Sequence, residues 1–428
     1  MKTRLLTIVF LVINLSAVAQ TEDLPKTSAG FPINYDVSAI PPYTLPELLR
    51  LYSGEKVTNA KAWTEKRRPE LLKAVEAIQY GKMPPPPAEL SFRIFDKETL
   101  VFDGKAIRRQ VTVYFTKDTS DHKIDLLIYL PANASKPVPL FFNISFAANS
   151  QVVDDPGVKI GEIWNREGQK VKADQASRFG KMDVNQFISE GFGFATVYYG
   201  DIEPDFKDGL KYGIRSEFLK PEETTLKNDE WGAISAWAWG LSRAMDYFEK
   251  DAEIDASRVA IHGISRLGKT ALWTGVHDER FKLVIASVSG EGGAAITRRD
   301  YGENIKHITD TSRYYYQFAP AYHEYSTKVN ELPFDAHSLV ALMAPRPLLL
   351  QTGNTDYWSD PEGEFIAAKE AQVVYELFGE KGPGDATMPE AGDTSLAFNK
   401  LGYYMHDGGH GTIPSDWPIF ISYLKKFL

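Results

Sequence analysis

The stretch Val259-Ala-Ile-His-Gly-Ile-Ser-Arg-Leu-Gly-Lys269 constrains this chain more than any other. A short apolar run leads into Gly263, Ser265 and Gly268, and a helix-forming sequence follows. Such a run reads as a buried strand. A strand that turns at once into a helix crowds its own backbone, so the flanking positions must be small, and the apex side chain is lifted above the sheet edge. Here the apex is Ser265. The backbone N–H after it points to where an oxyanion would form, and the helix N-terminus adds a positive end. The spacing is G-x-S-x-x-G-K rather than G-x-S-x-G. The same letters, Gly263 to Thr270, also satisfy the phosphate-loop pattern G-x-x-x-x-G-K-[ST].

A serine at its free pKa is a weak nucleophile and needs a base. In folds with such a turn the base comes last in chain order. Of the eight histidines, His406 and His410 sit in Met405-His-Asp-Gly-Gly-His-Gly411, a Gly-rich loop just before the last helical segment. His410, between glycines, is the better candidate. The acid is expected after a strand lying between Ser265 and His410. Leu348 to Gln351 is such a strand, and Asp356 lies early in the following loop. A carboxylate there would hold the imidazole N–H. Glu291, in Ser289-Gly-Glu-Gly-Gly293, is a rival acid whose structural alternative is an ion pair with Arg298 or Arg299. Asp360, before Pro361, reads as a turn cap.

The rest of the chain fits an α/β-hydrolase, a three-layer αβα sandwich with a mostly parallel central sheet. Residues 46–80 read as helical and end at Met83-Pro-Pro-Pro-Pro87. From residue 89 strand-like runs follow one another without helices: 109–115, 124–130, 139–146 and 191–199. Strands then alternate with helices: helix 232–248, strand 258–264, a helix from Lys269, strands 283–288 and 347–351, and a closing helix 417–428. The Tyr-rich stretch 303–331 has no clean period and reads as a cap over the sheet.

Three parts are expected: a signal peptide over 1–19, a lead-in and helix over 20–88 packed on the catalytic domain, and that domain over 89–428. The leader has Lys2 and Arg4, an apolar run from Leu5 to Leu15, and Ala17-Val-Ala19 as cleavage site. The run is too short to span a bilayer comfortably, so a secreted or periplasmic protein without a membrane span is expected. Cysteine is absent, which excludes disulfides and a thiol nucleophile. A net charge of −9 argues against nucleic acid as partner. No metal or organic cofactor is required by a serine, histidine and carboxylate.

Several motifs together resemble carbohydrate esterase family 15, the glucuronoyl esterases. They are Gly263-Ile-Ser-Arg-Leu-Gly-Lys269, Trp231-Gly-Ala-Ile-Ser-Ala-Trp-Ala-Trp-Gly240, Ser289-Gly-Glu-Gly-Gly-Ala-Ala295, Phe334-Asp-Ala-His-Ser-Leu339, Ala344-Pro-Arg-Pro347 and Gly408-Gly-His410. Their order makes the phosphate-loop match a coincidence. The resemblance implies hydrolysis of the ester between a (4-O-methyl-)glucuronic acid on xylan and a lignin alcohol. The partner would be glucuronoxylan or a lignin–carbohydrate ester, and the protein a monomer. By the same resemblance Ser265 is nucleophile and His410 base, and Arg266 stabilises the oxyanion. Lys269, Trp358 and Glu303 would contact the sugar. Fungal members carry the acid where this chain has Val288, so the resemblance to bacterial members puts that role on Asp356. An acetyl xylan esterase, a prolyl-oligopeptidase-type peptidase and a non-catalytic carbohydrate-binding protein are the rival readings.

Overall fold

The computed structural model describes residues 24–428 apart from 29, 121, 166, 175, 178–180 and 220–225. The expected signal peptide lies outside the described residues.

Nine strands form one sheet. In chain order they are β1 (Ser91–Val101), β2 (Ala106–Tyr114), β3 (Lys123–Pro131), β4 (Val138–Ser145), β5 (Gly193–Tyr198), β6 (Ile254–Ile264), β7 (Phe281–Ser287), β8 (Leu348–Gly353) and β9 (Leu401–His406). Their spatial order is β9-β8-β7-β6-β4-β5-β3-β2-β1. From β9 to β5 all pairings are parallel, whereas β3, β2 and β1 join antiparallel. This is the mixed leading edge expected from strands that lack intervening helices. The parallel strands are buried over most of their length because helices cover both faces.

Five longer helices complete the layers: α1 (Arg68–Val75), α2 (Ala233–Phe248), α3 (Arg266–His277), α4 (Pro361–Leu377) and α5 (Asp416–Phe427). Alternation along β6 divides the core. Val259 and Ile261 pack with Leu71, Trp237, Leu272 and Val374, which belong to α1 to α4. Ala260 packs on the other face with Phe420 and Leu424 of α5. This architecture is that of an α/β-hydrolase.

Some expectations are corrected. The helix expected over 46–80 begins only at Ala60. Gly54 holds φ +92°, and the Asn59 side chain accepts the Ala62 N–H at 2.9 Å, which starts the helix there. From Ala60 it continues to Tyr80 through two π-type turns. The helix expected from Lys269 starts at Arg266, directly after the serine. His406 is the last residue of β9 and not part of the Gly-rich loop. The stretch 303–331 folds into short helical turns, among them Ile305–Thr309, Tyr315–Gln317 and Pro320–His323. No helix among the described residues is long and apolar enough to cross a membrane.

Candidate active site

Strand β6 lies between β4 and β7, so the turn after Ile264 emerges well inside the sheet. Ser265 occupies that turn at φ 60° and ψ −128°, a conformation that costs a non-glycine residue about 1–3 kcal/mol. It is held there by its own N–H, which donates to the Ser287 carbonyl at 2.8 Å. A Cβ on Gly263 would stand 2.0 Å from the Leu267 carbonyl oxygen, and one on Gly268 2.7 Å from that of Ser287. The two glycines are therefore dictated by the closeness of the turn to β7 and α3. The Arg266 N–H, first in α3, has no backbone acceptor among the described residues.

Asp356 follows β8, and its N–H donates to the Gly353 carbonyl at 3.1 Å. Its carboxylate, 3% exposed, accepts from His410 Nδ1 at 2.7 Å. Ser359 Oγ lies 3.1 Å from the same nitrogen. With Nδ1 as the donor, Nε2 is left as the basic nitrogen. Ser265 forms no hydrogen bond to His410 here; catalytic pairs of this kind tighten when substrate binds.

Ser265, Arg266, Lys269, Glu303, Trp358 and His410 line one cavity of about 230 Å³. Six of the seven residues singled out from sequence thus share a wall, and Asp356 stands behind His410. Lys269 is buried, and desolvation lowers its pKa, with Glu303 pulling the other way and Arg266 adding to the fall. Its ammonium has no hydrogen-bond or ion-pair partner among the described residues. The Glu303 N–H donates to the Trp358 carbonyl at 2.8 Å, tying the cap to the loop that carries Asp356.

Two contributors were not visible in the sequence. Arg313, from the cap, lines the cavity, lies over the Trp358 ring at 5.3 Å and faces Glu303 at 3.5 Å. Asp205 holds the Arg266 guanidinium at 2.5 Å. It also accepts from Tyr316 at 2.9 Å, Gln317 at 2.7 Å and Tyr199 at 3.1 Å. Neither residue sits in a motif, since each is delivered by a long connection.

The rival candidates lie elsewhere. Glu291 is buried, does not line the cavity, and its Oε1 has no hydrogen-bond partner. Nor does it pair with Arg298 or Arg299, which belong to Asp335 and to Asp360 with Glu362. Burial raises its pKa well above the ordinary range. His406 is committed to Asp416 at 2.9 Å. Asp360 accepts the Gly363 N–H at 3.0 Å, so it caps α4 as well as pairing with Arg299.

The family model for fungal glucuronyl esterases matches residues 225–379. A carbohydrate esterase from an unknown prokaryotic organism is 40% identical over 425 residues, covering 97% of both chains. The solved glucuronoyl esterase of Solibacter usitatus is 45% identical, with a TM-score of 0.86 over 91% of this chain and 99% of that one. A promiscuous esterase of carbohydrate esterase family 15 from a marine bacterial metagenome is 40% identical, with a TM-score of 0.84 over 92% and 100%. The chain belongs to carbohydrate esterase family 15, the family of the glucuronoyl esterases.

Proposed function

We propose that the protein is a serine esterase that hydrolyses esters of (4-O-methyl-)glucuronic acid, such as those joining glucuronoxylan to lignin alcohols. The observation that carries this reading is the 230 Å³ cavity in which Ser265 and His410 meet three cations, Arg266, Lys269 and Arg313. Such a lining suits an acyl group rich in oxygen atoms. The Solibacter usitatus relative, named a glucuronoyl esterase, supports it.

In the mechanism His410 Nε2 takes the Ser265 proton as Oγ attacks the C6 carbonyl of the ester. Asp356 holds the imidazole and stabilises the imidazolium. The Arg266 N–H and guanidinium meet the negative charge that develops on the carbonyl oxygen, each such donor being worth about 3 kcal/mol. The C–O bond breaks, and the alkoxide leaves with the proton from His410. Water repeats the sequence on the acyl-enzyme and releases the acid. Lys269 donates to sugar hydroxyls, Glu303 accepts from one, and Trp358 forms an apolar wall. All these groups come from one chain, so a monomer suffices. The apolar leader ending at Ala19 supports export to the periplasm or medium.

A wider ester range is the second reading, favoured by the promiscuous relative. The test compares methyl glucuronate with an acetylated xylan, using wild type, Ser265→Ala and Lys269→Ala. The uronate reading expects turnover of the glucuronate, lost in Ser265→Ala and sharply weakened in Lys269→Ala. Turnover of acetyl esters alone would overturn it.

A further inference from the structure

Before Tyr43 the chain adds nothing to the core: none of its described residues there belongs to, or packs on, either hydrophobic cluster. It is nevertheless ordered against the cap. Thr27–Ser28 pairs antiparallel with Phe31–Pro32, and the Ile33 N–H donates to the Lys26 carbonyl at 3.0 Å. This small hairpin and the residues after it back three walls of the 230 Å³ cavity, those of Arg313, Trp358 and Glu303. Ser28 Oγ accepts from Arg313 Nη1 at 2.7 Å, across 285 positions of sequence. Phe31 meets the His307 ring edge-on at 5.9 Å, and His307 in turn lies 5.2 Å from the Trp358 ring. The Asn34 carbonyl accepts the Gly302 N–H at 2.9 Å, and its side-chain amide donates to the Asp300 carbonyl at 3.2 Å. These two bonds hold the turn that delivers Glu303.

The contact to Arg313 says most. A guanidinium carries five N–H donors and no acceptor. Among the described residues, the one hydrogen bond that the Arg313 guanidinium makes is to Ser28. Glu303 stands 3.5 Å from it, an ion pair too long for a good hydrogen bond. Both side chains are largely buried, so their mutual attraction is little screened. Ser28 thus draws the guanidinium away from Glu303 and leaves both groups open toward the cavity. Without it Arg313 would close on Glu303, and a donor and an acceptor would be lost to the sugar together. We propose that Ser28 and Phe31 are positioning residues of the acyl cavity. Ser28 keeps Arg313 and Glu303 apart to receive a uronyl group, and Phe31 backs the Trp358 wall through His307. This inference rests on the uronate reading of that cavity.

The test is steady-state hydrolysis of methyl glucuronate by Ser28→Ala, Ser28→Thr, Phe31→Ala, Arg313→Ala and the combination of Ser28→Ala with Arg313→Ala. Thermal unfolding of each checks the fold; the Ser28 and Phe31 variants should melt near wild type, because the hairpin stands outside the core. Losing a hydrogen bond to a charged group should raise KM roughly tenfold in Ser28→Ala. kcat should stay within about twofold, because Ser265, His410 and Arg266 are untouched. Ser28→Thr keeps the hydroxyl and should restore KM. Phe31→Ala should raise KM about threefold through the loosened aromatic wall. In the Arg313→Ala background Ser28→Ala should change nothing further, since Ser28 acts through Arg313. A wild-type KM in Ser28→Ala, or an undiminished effect of Ser28→Ala without Arg313, would overturn the assignment and leave the esterase reading standing. A wild-type KM in Phe31→Ala would strike Phe31 from it. If the wild-type protein cleaves no glucuronate, the uronate reading fails and the positioning role falls with it.

Discussion

Replacing Asp205 should damage both stability and rate, because it anchors the Arg266 guanidinium beside Ser265. Its carboxylate is 5% exposed and receives Arg266, Tyr316, Gln317 and Tyr199. Asp205→Ala leaves a charge and three neutral donors facing a void. Breaking a buried pair from one side costs about 3–5 kcal/mol. The Arg266 side chain is 25% exposed, so water recovers part of that, and the lower end, about 3 kcal/mol, is expected. Asp205→Asn keeps one acceptor oxygen and should cost about 2 kcal/mol. The released guanidinium is also free to swing over Phe146 or Tyr314, the rings it already touches. Loss of one aimed donor should then lower kcat on methyl glucuronate by roughly a hundredfold in either variant. Tyr316→Phe is the control: it removes one neutral donor, at about 1 kcal/mol, and leaves the charge pair. Urea unfolding and steady-state kinetics measure both effects. Wild-type stability and rate in Asp205→Asn would refute the reasoning, and lost stability with unchanged kcat would reduce Asp205 to a structural role.

Asp356→Asn should keep the fold but lower kcat by about 10³- to 10⁴-fold, since an amide permits the wrong imidazole tautomer; a steady-state assay checks it. Gly263→Ala should leave little folded protein, because its Cβ would meet the Leu267 carbonyl oxygen at 2.0 Å; soluble yield and circular dichroism decide. Glu364, beneath the site, has its pKa pushed up to about 8 by burial, with Asp356 adding and the Gly290 N–H, Ser289 and Lys269 opposing. The folded protein thus keeps a proton that the unfolded chain loses near its ordinary value of 4.5, so this carboxyl's contribution to stability declines as pH rises from 4.5 through 8. Glu364→Gln mimics the protonated form and should flatten that decline, gaining up to a few kcal/mol at pH 8 or above; denaturant melts across this range test it.

The parts legible in sequence were those where local rules and the final environment agree. Strands β4, β5, β7 and β8 are buried along most of their length, so their apolar runs are dense. The turn at Ser265 demands glycines at two fixed places, and His410 is marked by the glycines around it. Other parts were not legible. Strand β9, Leu-Gly-Tyr-Tyr-Met-His, is short and merges with the Gly-rich loop, so it was not read as a strand and His406 was placed in the loop. Helix α4 lies directly behind the acid loop, and Pro361 reads equally as a stop or as a first helical residue; Asp360 at its cap decides for the helix. Neither alternative weighed for Glu291 holds, and the ion pair fails because Arg298 and Arg299, adjacent in sequence, are claimed by carboxylates 37 and 61 positions away. Asp205 and Arg313 escaped for the same reason, since their partners meet only when long connections fold over the sheet.

The central claim is that Ser265 carries the uronyl group during turnover. The direct measurement is an acid quench of Asp356→Asn mixed with benzyl glucuronate, followed by mass mapping of peptides. The variant slows turnover and allows the acyl-enzyme to be caught. A uronyl adduct on the peptide holding Ser265, absent when Ser265→Ala is treated alike, is the result expected. Continued hydrolysis of the ester by Ser265→Ala, or an adduct on any other residue, would contradict the account.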